Sequence, residues 1–95
     1  MADTDRELLE LAAKAVGEHP ISLATSPYKS WNPLADDGDA LRLAVQLRLD
    51  IHVDGNLTEV HGPFDGFFTE AHLGDPCAAT RRAIVRTAAE IGRAM

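Results

Sequence analysis

The strongest constraint in this sequence is its closing segment, which reads as one long helix. Asp75 stands ready to accept hydrogen bonds from the first free N–H groups, and Pro76 takes the first helical position, where its missing N–H costs nothing. The helix is predicted to run to about Ala94, with Cys77, Ala83 or Ile84, Ala88, Ile91 and Met95 forming its apolar stripe. Arg81, Arg82, Arg86 and Arg93 lie off that stripe. In a chain of 95 residues, which has room for one core and no more, such a helix must help to build that core. Residues 1–95 are therefore expected to form a single domain.

Upstream of it, Leu49-Asp50-Ile51-His52-Val53 alternates apolar and polar residues with a period of two, the pattern of a half-buried strand. Asp54-Gly55 is a hairpin signal, because both residues tolerate positive φ. Leu57 to His61 then returns as the partner strand. A two-residue turn puts Leu49, Ile51, Val53, Thr58 and Val60 on one face, the expected core face. Asp50, His52, Leu57, Glu59 and His61 take the other. Gly62-Pro63-Phe64-Asp65-Gly66 makes a second turn, and Phe67 to Leu73 a third strand ended by Gly74.

The first half of the chain supplies two more helices. Over residues 4–18, Leu8, Leu11, Ala12, Ala15 and Val16 recur at helical spacing. Thr4 and Glu7 form a capping box, and Gly17 and Pro20 end the helix. A second helix starts among Asp36, Asp37 and Asp39 and runs to about Leu47, with Leu41, Ala44, Val45 and Leu47 as its apolar side. Between the two, residues 19–35 hold Pro20, Pro27 and Pro33 with Ser22, Ser26 and Ser30, and read as a connection within the domain. Tyr28 and Trp31, with Pro33, are its expected anchors, because a loop gains most by burying its large rings. The predicted order is α-α-β-β-β-α, an α+β fold with a small antiparallel sheet of about three strands and helices packed on it.

Composition limits the partners. Fifteen acidic against nine basic residues give a net charge of -6, which disfavours generic nucleic-acid binding. The single cysteine, Cys77, cannot close an intramolecular disulfide, and a reducing, cytoplasmic setting is expected. The first ten residues lack the character of a signal peptide, and no stretch approaches the roughly 20 apolar residues of a membrane span. A soluble protein with no membrane association is expected.

Residue constellations point away from catalysis. His52, His61 and His72 could share the polar sheet face, but a turn at 54–55 sets His61 opposite about residue 48. That is some 13 Å along the strand from His52, at about 3.3 Å per residue. One metal ion cannot bridge that distance, and the histidines read as solvated strand residues. Cys77 lies in the first turn of the last helix, where thiolate is favoured, yet no base is identifiable beside it, and it reads as a small core residue. The serines and glycines form no nucleophile elbow or phosphate loop. Asp36-Asp37-Gly38-Asp39 resembles a calcium-loop fragment without the closing glutamate and reads as a helix cap. Neither a cofactor nor a metal site is expected. Arg81, Arg82, Arg86 and Arg93 are the one candidate interaction stripe, against a plain reading as a solvated face.

The run Ser26-Pro27-Tyr28-Lys29-Ser30-Trp31-Asn32-Pro33 is followed by an acid-capped helix and a closing helix that carries Ala79-Thr80-Arg81-Arg82-Ala83-Ile84. Over roughly residues 28 to 94 this resembles the small phage ABA-sandwich proteins of bacteriophages and prophages. The resemblance implies an antiparallel sheet between helical layers and no established activity. Two functions follow as expectations. The favoured one is a phage-derived, non-enzymatic accessory protein that binds a host or phage macromolecule, an unidentified protein being one candidate. The alternative is a small ligand-binding domain or enzyme with a pocket near Tyr28, Trp31 and Cys77.

Overall fold

The computed structural model describes residues 4–18, 23 and 30–95. Its order is α1 (Asp5–Ala15), α2 (Asp37–Leu47), β1 (Asp50–Val53), β2 (Leu57–His61), β3 (Phe67–Ala71) and α3 (Pro76–Arg93). The three strands form one antiparallel sheet in the order β1-β2-β3. This is the α+β arrangement expected from the sequence.

The helix ends follow from local chemistry. Thr4 and Glu7 close the capping box of α1, and Asp36 and Asp75 accept from the N–H groups of Asp39 and Ala78 to cap α2 and α3. Gly17, at φ 75°, ends the α1 turn as expected. Helix α2 ends differently, on Arg48 in the left-handed region at φ 57°. No glycine signals that cap in the sequence.

Helix α3 is the centre of the molecule, in contact with α1, α2, β2 and β3. Its burial is accordingly wider than a stripe: Ala79, Ala83, Ile84, Val85, Thr87, Ala88, Ala89 and Gly92 are all buried. Two residues assigned to the apolar stripe depart from it, for Cys77 and Met95 are exposed at the two ends of the helix. The neighbouring elements do not reach that far. Thr87, buried among apolar groups, gives its hydroxyl hydrogen to the Ala83 carbonyl at 2.8 Å, so that no polar atom is stranded.

Small side chains set the helix spacing. A Cβ on Gly92 would stand 1.9 Å from the Leu11 carbonyl oxygen, so the α1 and α3 backbones touch there. Ala12 and Ala13 of α1 and Ala88 and Ala89 of α3 are buried within the same core cluster. With only three Phe, one Tyr and one Trp in the chain, close backbone approach supplies the dispersion contacts that large rings would supply elsewhere.

The sheet presents one face to α3. Thr58 and Val60 are fully buried on that face, and Phe68 and Glu70 are half-buried beside them. On the opposite face His52, Phe67, Thr69 and Ala71 are exposed. Helices therefore cover a single face among the described residues, rather than the two that the phage resemblance implies. Coverage also fails toward β1, because α3 packs on β2 and β3. Val53, expected in the core, is 57% exposed.

The hairpin register differs from the expected one. Val53 pairs with Thr58 and Asp50 with His61, whereas a 54–55 turn would have set Val53 against Asn56. Asp54 N–H donates to the Leu57 carbonyl, which centres the turn on Gly55-Asn56. Because the displacement is an even number of residues, each side chain keeps its face and only its neighbours change.

Gly92→Ala follows as a test of the helix crossing. In an unhindered helix the substitution stabilises by about 1 kcal/mol. Against the Leu11 carbonyl it should instead destabilise by about 3 kcal/mol in chemical denaturation. A stabilised variant would show that α1 and α3 do not meet at this point.

Candidate functional site

The elements that could carry function are the polar anchors around α3, the open sheet face and the groove beside β1. The connection before α2 is held from within. Trp31 is only 9% exposed and joins the hydrophobic core, and Pro33 is fully buried next to it. Tyr28, the third expected anchor, lies outside the described residues.

Asp39 is the residue that the sequence reading placed as one more cap and that does something else. Its carboxylate is 1% exposed, accepts from the Asn32 backbone N–H at 2.9 Å and meets Arg42 at 2.7 Å. Asn32 in turn accepts from the N–H of Leu34 through its side chain, and from those of Ala35 and Asp36 through its carbonyl. One buried carboxylate thus fixes the Trp31-Asn32-Pro33 turn to the first turn of α2. Its chemistry is structural, since both oxygens are occupied by protein donors.

The four arginines of α3 each pair with a carboxylate. Arg81 is half-buried and donates to the Leu34 carbonyl at 2.9 Å and to Asp37. Arg82 pairs with Asp5 at 3.2 Å, and Arg93 meets Glu90. Arg86 pairs with Glu70 and stacks over the Phe68 ring, 4.6 Å from its centroid. Three of the four therefore tie α3 to α1, to the turn before α2 or to β3.

The histidines divide between the two sheet faces. The shifted register brings His52 and His61 together, their ring centroids 5.8 Å apart, where the expected turn had separated them. His61 also contacts Glu59 and packs on Phe67 at 4.9 Å. His72, expected among solvated residues, is buried on the core face. Its Nε2 lies 3.0 Å from the Thr58 hydroxyl, which is 2.7 Å from that of Thr80. The chain of hydroxyls satisfies a buried imidazole and joins β2 to α3. Among the described residues no group of three or more His, Cys, Asp or Glu is placed to hold a metal ion.

The remaining feature is a groove of about 330 Å³ between α2, β1 and the start of α3. Ala40 and Leu41 form one wall, Ile51 and Val53 the floor, and Cys77 and Ile84 the other wall. Leu41 is 60% exposed and Val45, one turn further along α2, 67%. Cys77 thus lines the groove instead of filling the core, and Trp31 is not among the described residues beside it. Of the three residues of the expected pocket, Cys77 lines this groove, Trp31 is buried in the core and Tyr28 lies outside the described residues. The two charged groups that line the groove, Asp37 and Arg81, pair with each other, and Arg81 also donates to the Leu34 carbonyl.

The turn that follows β1 carries the carboxylate of Asp54. Asp54 accepts from the N–H groups of Asn56 at 2.6 Å and Leu57 at 2.9 Å. These two bonds, Asn56 first, hold its carboxyl below the ordinary value of 3.8. His72 N–H donates to the Asn56 carbonyl and Asp75 N–H to the His72 carbonyl, which ties this turn to the start of α3. No helix among the described residues is long and apolar enough to cross a membrane.

No family model matches the chain, and neither the curated proteins nor the solved structures contain a match.

Three substitutions probe these assignments. Trp31→Ala should cost about 3–5 kcal/mol through the cavity it leaves, and Asp39→Ala about 2 kcal/mol through the orphaned Asn32 N–H. Water-like Trp31 fluorescence with an unchanged melt would contradict the anchor. For Asp54 the folded pKa is depressed, so its contribution is complete above the unfolded value and disappears as pH falls through the folded one. Asp54→Asn should therefore flatten the acid limb of the stability curve below about pH 4, and an unchanged limb would show that the turn does not hold the carboxylate.

Proposed function

We propose that this protein is a non-enzymatic interaction domain whose docking surface is the groove beside β1. The observation that carries the reading is the apolar exposure there. Leu41 and Val53 line a formed groove while open to solvent, and Val45, one turn along α2 from Leu41, is exposed as well. Contiguous exposed apolar surface marks interaction sites more often than it is tolerated idly. The arginines of α3 serve less well as a docking stripe, because Arg81, Arg82 and Arg86 spend their charges on Asp37, Asp5 and Glu70.

The phage accessory origin implied by Trp31-Asn32-Pro33 and Ala79-Thr80-Arg81-Arg82-Ala83-Ile84 belongs to the same proposal and is supported by those residues alone. So does a cytoplasmic setting, supported by the single, exposed Cys77. A small-ligand reading is supported less well, because the groove offers few polar groups to fix a ligand's orientation.

The double substitution Leu41→Asp with Val45→Asp tests the surface. Both side chains are exposed, so stability should change by no more than about 0.5 kcal/mol per site. Crosslinking in a bacterial lysate should then recover a protein from wild type that the variant does not bind. Equal recovery by the two proteins would contradict the proposal.

A further inference from the structure

We infer that the groove takes an extended peptide segment, which adds to β1 as a fourth strand, with apolar side chains at alternate positions and a cationic residue at the hairpin end. The inference rests on the interaction reading above and specifies its partner. Three observations converge on it.

The first is the hydrogen-bond register of β1. Asp54 N–H bonds to the Leu57 carbonyl, and in an antiparallel ladder bonded and non-bonded pairs alternate. Asp54, His52 and Asp50 therefore bond to β2. Ile51 and Val53, opposite Val60 and Thr58, turn their N–H and C=O groups away from β2. No other described strand lies on that side, since β1 is an edge of the sheet. A helix laid in the groove satisfies its own backbone and leaves these four groups to water, whereas an extended segment pairs with them.

Side-chain direction is the second observation. Ile51 and Val53, the residues whose backbone groups face outward, also form the floor of the groove. A strand added beside them projects every second side chain toward Leu41, Cys77 and Ile84. Backbone pairing and apolar burial are then available to the same segment in a single register.

Charge is the third. The outward edge ends at Asp54, and the chain carries a net charge of -6. An arriving segment with Lys or Arg at that end is attracted. A second copy of this chain brings the same negative charge and is repelled. An antiparallel segment has its N-terminus at the hairpin end, so the cation precedes the apolar residues.

The probe is the blocked peptide Lys-Lys-Thr-Val-Thr-Val-Thr, titrated into the full chain. Binding should shift the amide resonances of Ile51 and Val53 and slow modification of the Cys77 thiol, with a Kd in the micromolar range. Leu41→Asp should weaken binding about tenfold or more. Asp54→Asn, which keeps a side-chain acceptor for the turn, should weaken it several-fold and remove most of its salt dependence. Val53→Pro deletes an outward N–H without removing a ladder bond and should abolish binding. If that variant does not fold, Leu41→Asp decides. Unshifted Ile51 and Val53 amides at millimolar peptide, or equal binding by Leu41→Asp, would overturn the inference. If lysate recovery still depends on Leu41 and Val45 in that case, strand addition falls while the interaction reading stands. Self-association of wild type in sedimentation, lost in Leu41→Asp, would also overturn it by giving the edge to a second copy.

Discussion

The contact between α1 and α3 through alanines and Gly92 determines what the rest of the molecule can do. Because the Leu11 carbonyl and Gly92 touch, α1 lies directly on α3 and takes up a side that a larger residue would hold open. With α1 and α2 on its flanks and β2 and β3 beneath, α3 is buried around most of its circumference. Polar residues enter this core only with partners: Thr87 bonds back to Ala83, and His72 reaches Thr58 and, through it, Thr80. The cost of burying such groups is offset only when their hydrogen bonds are made.

A helix committed to β2 and β3 cannot also cover β1. That geometry links fold to proposed function, because the uncovered margin consists of Val53 below, with half-buried Ile51 next to it, and Leu41 and Val45 alongside. Natural sheets commonly protect an edge with charge, proline or a covering element. Here the outward-facing positions of β1 are aliphatic, and the acidic Asp54 stands just past the end of the strand. An edge kept open in this way carries a risk of unwanted pairing, which the net charge of -6 reduces by repelling other copies.

Features governed by nearby residues were legible in the sequence. The capping box of Thr4 and Glu7, the Asp75-Pro76 start of α3, the Gly17 cap and the partition of β2 residues between two faces all depend on spacings of a few residues. The hairpin register was missed by an even step because Asp54-Gly55 and Gly55-Asn56 are both acceptable turns, and only pairing along the whole ladder selects between them. Arg48 carries no signal for its left-handed conformation. Asp39 sits in a run of acids where each reads as a cap, and its burial depends on Asn32 returning from the preceding turn. The groove was illegible because it depends on the distance between α2 and α3. Cys77 and Val53 were assigned to the core for the same reason, since an apolar residue in the right phase is buried only if a neighbour reaches it.

The central claim is that β1 is an open edge while α3 is sealed, and native-state hydrogen exchange of the amides measures this residue by residue. Exchange should be slowest in the middle of α3, at Val85 to Ala89. Along β1 it should alternate, with His52 protected by its bond to β2 and Ile51 and Val53 exchanging at least about tenfold faster through the solvent-facing edge. Equal protection of Ile51, His52 and Val53 would mean that the edge is already covered, and would contradict the account.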